Sequence, residues 1–290
     1  MKSGYFKRKL PVLFGIAIIV SIFSAAVMAQ GTGENADGGI SSDTEERNIN
    51  KPASDGWRTE DYKPYIKSIK DLEKLSKDYS DSRLKMAKDE YSKGVDILDD
   101  MVADIAMTRE QFKQKKYLSE KWYWQEIDRK NAQDRYVAGV KVTAKTKSVT
   151  YFTRAINLLD EINSNEIKSD PRYINFKVVL YRIYVSTQYD LGNLKPCIPI
   201  LERYLELTDE TRKDEWAYKY LSSCYAFMET ILDNSRAAPD EEVAYYKNRK
   251  NQAILKAVEL KYGRDSVEFK EMQKIVQKDE RKTAVINSDR

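Results

Sequence analysis

Two cysteines, three acidic runs and one aromatic triplet hold the side chains most able to do chemistry in this 290-residue chain. Histidine is absent, which removes the commonest general base, the commonest metal ligand and the usual pH switch near neutrality. Cys197 and Cys224 are too few for a disulfide framework. They read either as one disulfide, which chemistry permits outside the cytoplasm, or, more simply, as two small residues at helix-packing positions. Asp99-Asp100, Asp160-Glu161 and Asp240-Glu241-Glu242 could offer acid/base or metal work. The last suits the positive end of a helix dipole better, and the others read as solvated helix faces. No glycine-rich phosphate loop, zinc spacing or calcium-loop pattern occurs. The expectation is therefore no catalytic residue, no metal ligand, no cofactor and no enzyme.

The run Trp122-Tyr123-Trp124 is the sharpest remaining feature. Three consecutive aromatics cannot share one helix face, so at least one is free to anchor a neighbouring protein, where Trp and Tyr are favoured. A second candidate contact zone is the stretch 139–150, where Lys141, Lys145 and Lys147 are set among threonine, valine and serine. Tyr181, Tyr184 and Tyr189 could line a groove, although filling a core is the simpler use.

The elements that would position these residues begin after a targeting segment. Lys2, Lys7, Arg8 and Lys9 precede an apolar run from Leu10 to Val27, and Val27-Met28-Ala29 offers the small residues a signal peptidase reads. The expectation is a signal peptide over 1–29 and, after cleavage, no stable membrane anchor. The rival is an uncleaved anchor, since about 18 apolar residues just span a bilayer. Without the segment's four basic residues, 46 Lys+Arg face 46 Asp+Glu, and the formal net charge of +4 falls to zero. Nucleic-acid binding, which needs a concentrated positive field, is not expected. A neutral, heavily charged chain is also less protected against self-association.

Residues 30–56 are polar and glycine-rich and read as a disordered leader. From Tyr62 to Tyr79, apolar residues recur every three or four positions. A longer seam follows: Leu84, Ala87, Tyr91, Gly94, Leu98, Met101, Ile105, Thr108 and Phe112. Steps of three and four without a slip predict a helix over 81–116, spanning roughly 54 Å at 1.5 Å per residue. The composition shift at 139–150 marks either a boundary between a long-helix arm (57–143) and a second arm (144–280) or a helix continuous through it, with a frayed tail at 281–290. In the second arm, Asn163 to Asp170 reads as a polar loop, Pro171 as a helix start, and Leu191-Gly192-Asn193 as a helix stop.

The second arm resembles a tetratricopeptide array. Tyr218, Leu221, Ser222 and Tyr225 occupy the aromatic, leucine, small and tyrosine positions of that motif's first helix, and Cys197 the small position of the second. Lys256-Ala257-Val258-Glu259-Leu260 resembles its closing segment, while an offset of about 42 residues between units exceeds the usual 34. The expected class is all-α, a long helical-bundle arm followed by a tetratricopeptide-like helical-hairpin array. On this layout, and on the segments Tyr151–Asn163 and Tyr189–Leu207, the chain resembles the spirochaete flagellar-coiling protein family. The resemblance implies a periplasmic subunit of the flagellar filament coat or sheath, one that helps impose filament curvature and motility. Its implied partners are other filament and sheath proteins and further copies of itself. The alternative is a periplasmic or secreted adaptor that binds a peptide or protein partner.

Overall fold

A computed structural model describes the backbone of residues 62–113, 121–235 and 239–288, and side chains at 67–110, 130–235 and 239–278. The expected signal peptide (1–29) and leader (30–56) lie outside these residues. The described residues form ten helices, as an all-α chain should: α1 (Tyr62–Tyr79), α2 (Ser82–Lys113), α3 (Lys121–Asp160), α4 (Asn165–Ser169), α5 (Pro171–Asp190), α6 (Cys197–Leu205), α7 (Asp209–Arg212), α8 (Glu215–Asp233), α9 (Asp240–Tyr262) and α10 (Val267–Ser288).

The seam read in α2 is the face it buries. Leu84, Ala87, Tyr91, Leu98, Met101 and Ile105 are all buried, and α2 packs along α3. Phe152 of α3 and Phe176 of α5 close over Tyr91, with ring centroids 5.9 and 5.1 Å away. Gly94 explains how close α3 can come, because a Cβ placed there would meet Phe152 Cε1 at 2.5 Å.

Two matching caps brace the helix ends. Asp81 accepts the Arg83 N–H at 2.9 Å, and Asp170 accepts the Arg172 N–H at 2.8 Å. In each case the arginine side chain also returns to the capping carboxylate. The beginning of a helix thus gains an acceptor for an orphan donor together with a negative charge. The same arginines reach across the fold: Arg83 donates to the Glu161 carbonyl at the end of α3, and Arg172 to Asp78 at the end of α1. These guanidinium bonds hold the Asp81 and Asp170 carboxyls below the usual carboxylate range.

The boundary expected between residues 143 and 144 falls inside α3, which runs unbroken through 139–150. Hydroxyl side chains, which often compete with helix, here turn back onto it: Ser148, Thr150 and Thr153 donate to the carbonyls of Ala144, Thr146 and Val149. The 163–170 stretch also differs from a plain loop. Ser164 caps the short α4, which folds Ile167 into the core. The last helix runs to Ser288, inside the segment 281–290 read as a frayed tail.

After α5 the chain turns at Gly192, whose φ is 72°, and α6 packs on α5, α8 on α6, α9 on α8 and α10 on α9. Asp214 is the hinge pin of this succession. It caps α8 by accepting the Trp216 N–H at 3.0 Å, and it also receives bonds from Arg182 of α5 and Tyr204 of α6. Asp214→Ala should therefore lose about 2 kcal/mol, from a lost cap and a charged hydrogen bond. Asp214→Asn, which can still cap, should lose less than half of that. Urea midpoints at unchanged m-value would check this ordering.

Candidate interaction surface

Most chemistry-bearing side chains are spent on the fold. Asp160, read as part of a solvated face, instead joins three helices by receiving Lys177 of α5 and Arg203 of α6. Sequence spacing could not reveal this, because both partners lie on later helices. Burial lowers the affinity of the Lys177 ammonium for its proton, but Tyr181, Tyr173 and Asp160 outweigh that, and the net shift is upward. Tyr181 and Tyr184 are buried and fill the interior, whereas Tyr189 is exposed at the surface, packed edge-on against Tyr220 at 4.8 Å. Guanidinium groups cover several other aromatic faces. Arg182 lies 4.8 Å over Trp216, Arg203 5.5 Å over Tyr181 and Arg249 5.6 Å over Tyr225. Each of these arginines also holds a carboxylate, namely Asp214, Asp160 and Glu202 respectively. Such satisfied pairs are ties between helices, worth about 0.5–2 kcal/mol apiece according to their exposure.

Among the described residues no group of His, Cys, Asp and Glu is placed to hold a metal ion. None of the helices searched among them is long and apolar enough to cross a membrane. Asp240, Glu241 and Glu242 occupy the first turn of α9, where the helix dipole favours them.

Among the described residues, one open feature is a groove of about 620 Å³ between α2 and α3. Ile97, Met101, Val140 and Ala144 give it an apolar lining, and Asp100, Asp104, Arg135 and Lys147 supply charges of both signs. Tyr136 stands on its edge, half exposed, with its hydroxyl donating to Asp104 at 3.4 Å. At Gly139 a Cβ would meet nothing within 4 Å, so the backbone itself is open there. Val142 and Met107 are also exposed, at 56% and 60%.

The lysines read as a contact zone separate in the structure. Lys147 is exposed and lines the groove. Lys145 is largely covered and binds Asp190 at 2.6 Å, pinning α3 to the end of α5. Lys141 is half-buried. Trp122, Tyr123 and Trp124 fall in the first turn of α3, but their side chains lie outside the described residues. The sequence reading missed Tyr136 and Gly139 as a pair. The signal available was a bulky and a glycine residue three positions apart on one helix face, and its meaning depended on which part of α2 lay opposite.

No curated protein matches the chain. The family model FcpA matches residues 17–286, which include nearly all of the helices described above. The chain therefore belongs to the FcpA, or flagellar coiling protein A, family, and its role is tied to flagellar coiling.

Proposed function

We propose that the chain is an exported, non-catalytic structural subunit of the coat of the periplasmic flagellar filament, where it helps impose curvature. The observation that carries this reading is the groove between two long helices of a flagellar-coiling family member, with an apolar lining, mixed charge and a half-exposed tyrosine. Those are properties of a protein interface, in which aromatic anchors sit beside polar partners. The basic, apolar amino terminus supports export. The succession α5, α6, α8 and α9, each packed on the one before, supports the tetratricopeptide-like reading of that part. Many modest contacts repeated along a filament add through effective concentration, so no single one has to be strong.

Purified periplasmic flagella should contain the chain as a stoichiometric component. Deleting its gene should straighten the filaments and impair swimming. Trace amounts in the filament fraction, with normal filament shape in the mutant, would discard the coat reading and favour a soluble adaptor. On the groove itself, Tyr136→Ala combined with Lys147→Glu should leave the helical circular-dichroism signal and Tm unchanged. The same pair should weaken filament association roughly tenfold, the effect of about 1.4 kcal/mol at an anchor. Cosedimentation with filaments stripped of the native chain would measure it.

A further inference from the structure

The two cysteines have a placement that core filling alone does not require. Cys197 is the first residue of α6, Cys224 lies midway along α8, and these helices pack on one another. Both residues are 0% exposed and belong to the same apolar cluster, and both are free thiols here. The Cys197 thiol donates to the backbone carbonyls of Val185 and Asn193 at 3.9 and 3.6 Å, and its proximity, together with burial, pushes the Cys224 thiol up. The chain contains two cysteines in all, so one intramolecular pairing exists and mispairing within the chain is impossible.

We propose that Cys197 and Cys224 form a disulfide that staples α6 to α8. This rests on the reading that the chain is exported, because the oxidant is a disulfide of the kind an extracytoplasmic thiol–disulfide exchange system carries. One cysteine thiolate attacks that disulfide, forming a mixed disulfide and releasing one oxidant sulfur as a thiol. The second cysteine thiolate then displaces the other oxidant sulfur. The protein loses two thiol hydrogens and gains one S–S bond, and the oxidant is reduced to two thiols. Burial sets the timing. A fully covered, protonated thiol reacts poorly, so the bond forms while α6 and α8 are docking and is afterwards shielded from reductants. The loop it closes, from 197 to 224, contains all of α7 and the capping residue Asp214. The staple therefore restrains the segment that carries the cap.

The test refolds the full chain in a buffer of oxidised and reduced glutathione, then alkylates it under denaturing conditions without reductant and weighs it. The expected product regains the helical signal and carries no alkyl group, while prior reduction exposes both thiols. Its Tm should exceed that of the reduced protein by about 5 °C or more. Cys197→Ser and Cys224→Ser should each abolish that reductant-dependent difference. A fully helical refolded chain with both thiols alkylated would overturn the proposal. So would free thiols in chains trapped with alkylating agent from the extracytoplasmic fraction of cells. Should the disulfide form in vitro while the cellular protein stays cytoplasmic, the pairing stands and the export reading is lost.

Discussion

Phe152→Ala is expected to destabilise the protein by about 3–5 kcal/mol, the usual range for removing a buried phenyl ring. With shifts of about 2–4 °C per kcal/mol for domains of roughly this size, Tm should fall by about 10 °C or more. The ring is fully covered and touches Tyr91, which in turn meets Phe176 edge-on, so α2, α3 and α5 would lose a common contact. The reverse error should be visible at Gly94. Alanine normally gains up to about 1 kcal/mol over glycine within a helix. Here its Cβ would lie 2.5, 2.8 and 3.0 Å from three atoms of the Phe152 ring, and the buried ring has little room to retreat. Gly94→Ala should thus cost about 1–2 kcal/mol despite its better propensity, and Gly94→Leu about 3 kcal/mol or more. Gly94→Ala combined with Phe152→Leu should cost less than the sum of the two single changes, by about 1 kcal/mol. Urea titration of the wild type, the two single variants and the double variant closes this cycle. A neutral or stabilising Gly94→Ala would show that the helices do not approach so closely.

Raising the pH should unfold the chain steeply above about pH 10, where free tyrosine ionises. Burial pushes the Tyr173, Tyr181, Tyr204, Tyr220 and Tyr225 phenols up, and at Tyr204 and Tyr225 a bonded carboxylate pushes in the same direction. Tyr204 is carried to about 12. A phenol whose folded pKa exceeds its unfolded value contributes stability that is whole below about pH 10 and is lost as pH climbs through the folded value. At 1.36 kcal/mol per unit, Tyr204 alone accounts for roughly 3 kcal/mol between about pH 10 and 12. The other four act with the same sign. Tyrosinate absorbance should rise in two stages, the later one together with loss of the helical signal. Tyr204→Phe should be weaker at neutral pH, having lost its bond to Asp214, yet its stability should fall less between pH 10 and 12. A single ionisation stage with the helices intact would contradict the burial of these phenols.

Where the sequence spoke through local spacing it was legible. The three-and-four rhythm from Leu84 to Ile105 marks the face α2 buries. Pro171 and Gly192 stand where α5 starts and where the chain turns after it. These features depend on neighbours a few residues away, and so does the family resemblance carried by whole helices. What stayed hidden depends on partners far along the chain. The continuity of α3 through a threonine-rich stretch required knowing that the hydroxyls would bond back onto the helix. The role of Asp160 required Lys177 and Arg203 to arrive from two later helices. The groove is hardest of all, because an opening beside Gly139 is created by what α2 fails to place opposite it.

The unbroken course of α3 has a mechanical consequence. It is 40 residues long, roughly 60 Å at the usual rise, and carries the groove-lining Tyr136 and Lys147 upstream of Phe152 on a single backbone. A hydrogen-bonded cylinder with no proline or hinge resists flexing over that distance, so a load applied at the groove is delivered as torque to the aromatic knot where α2, α3 and α5 meet. Under the proposed coat role, stiffness of this kind would let the protein bend what it binds instead of yielding to it.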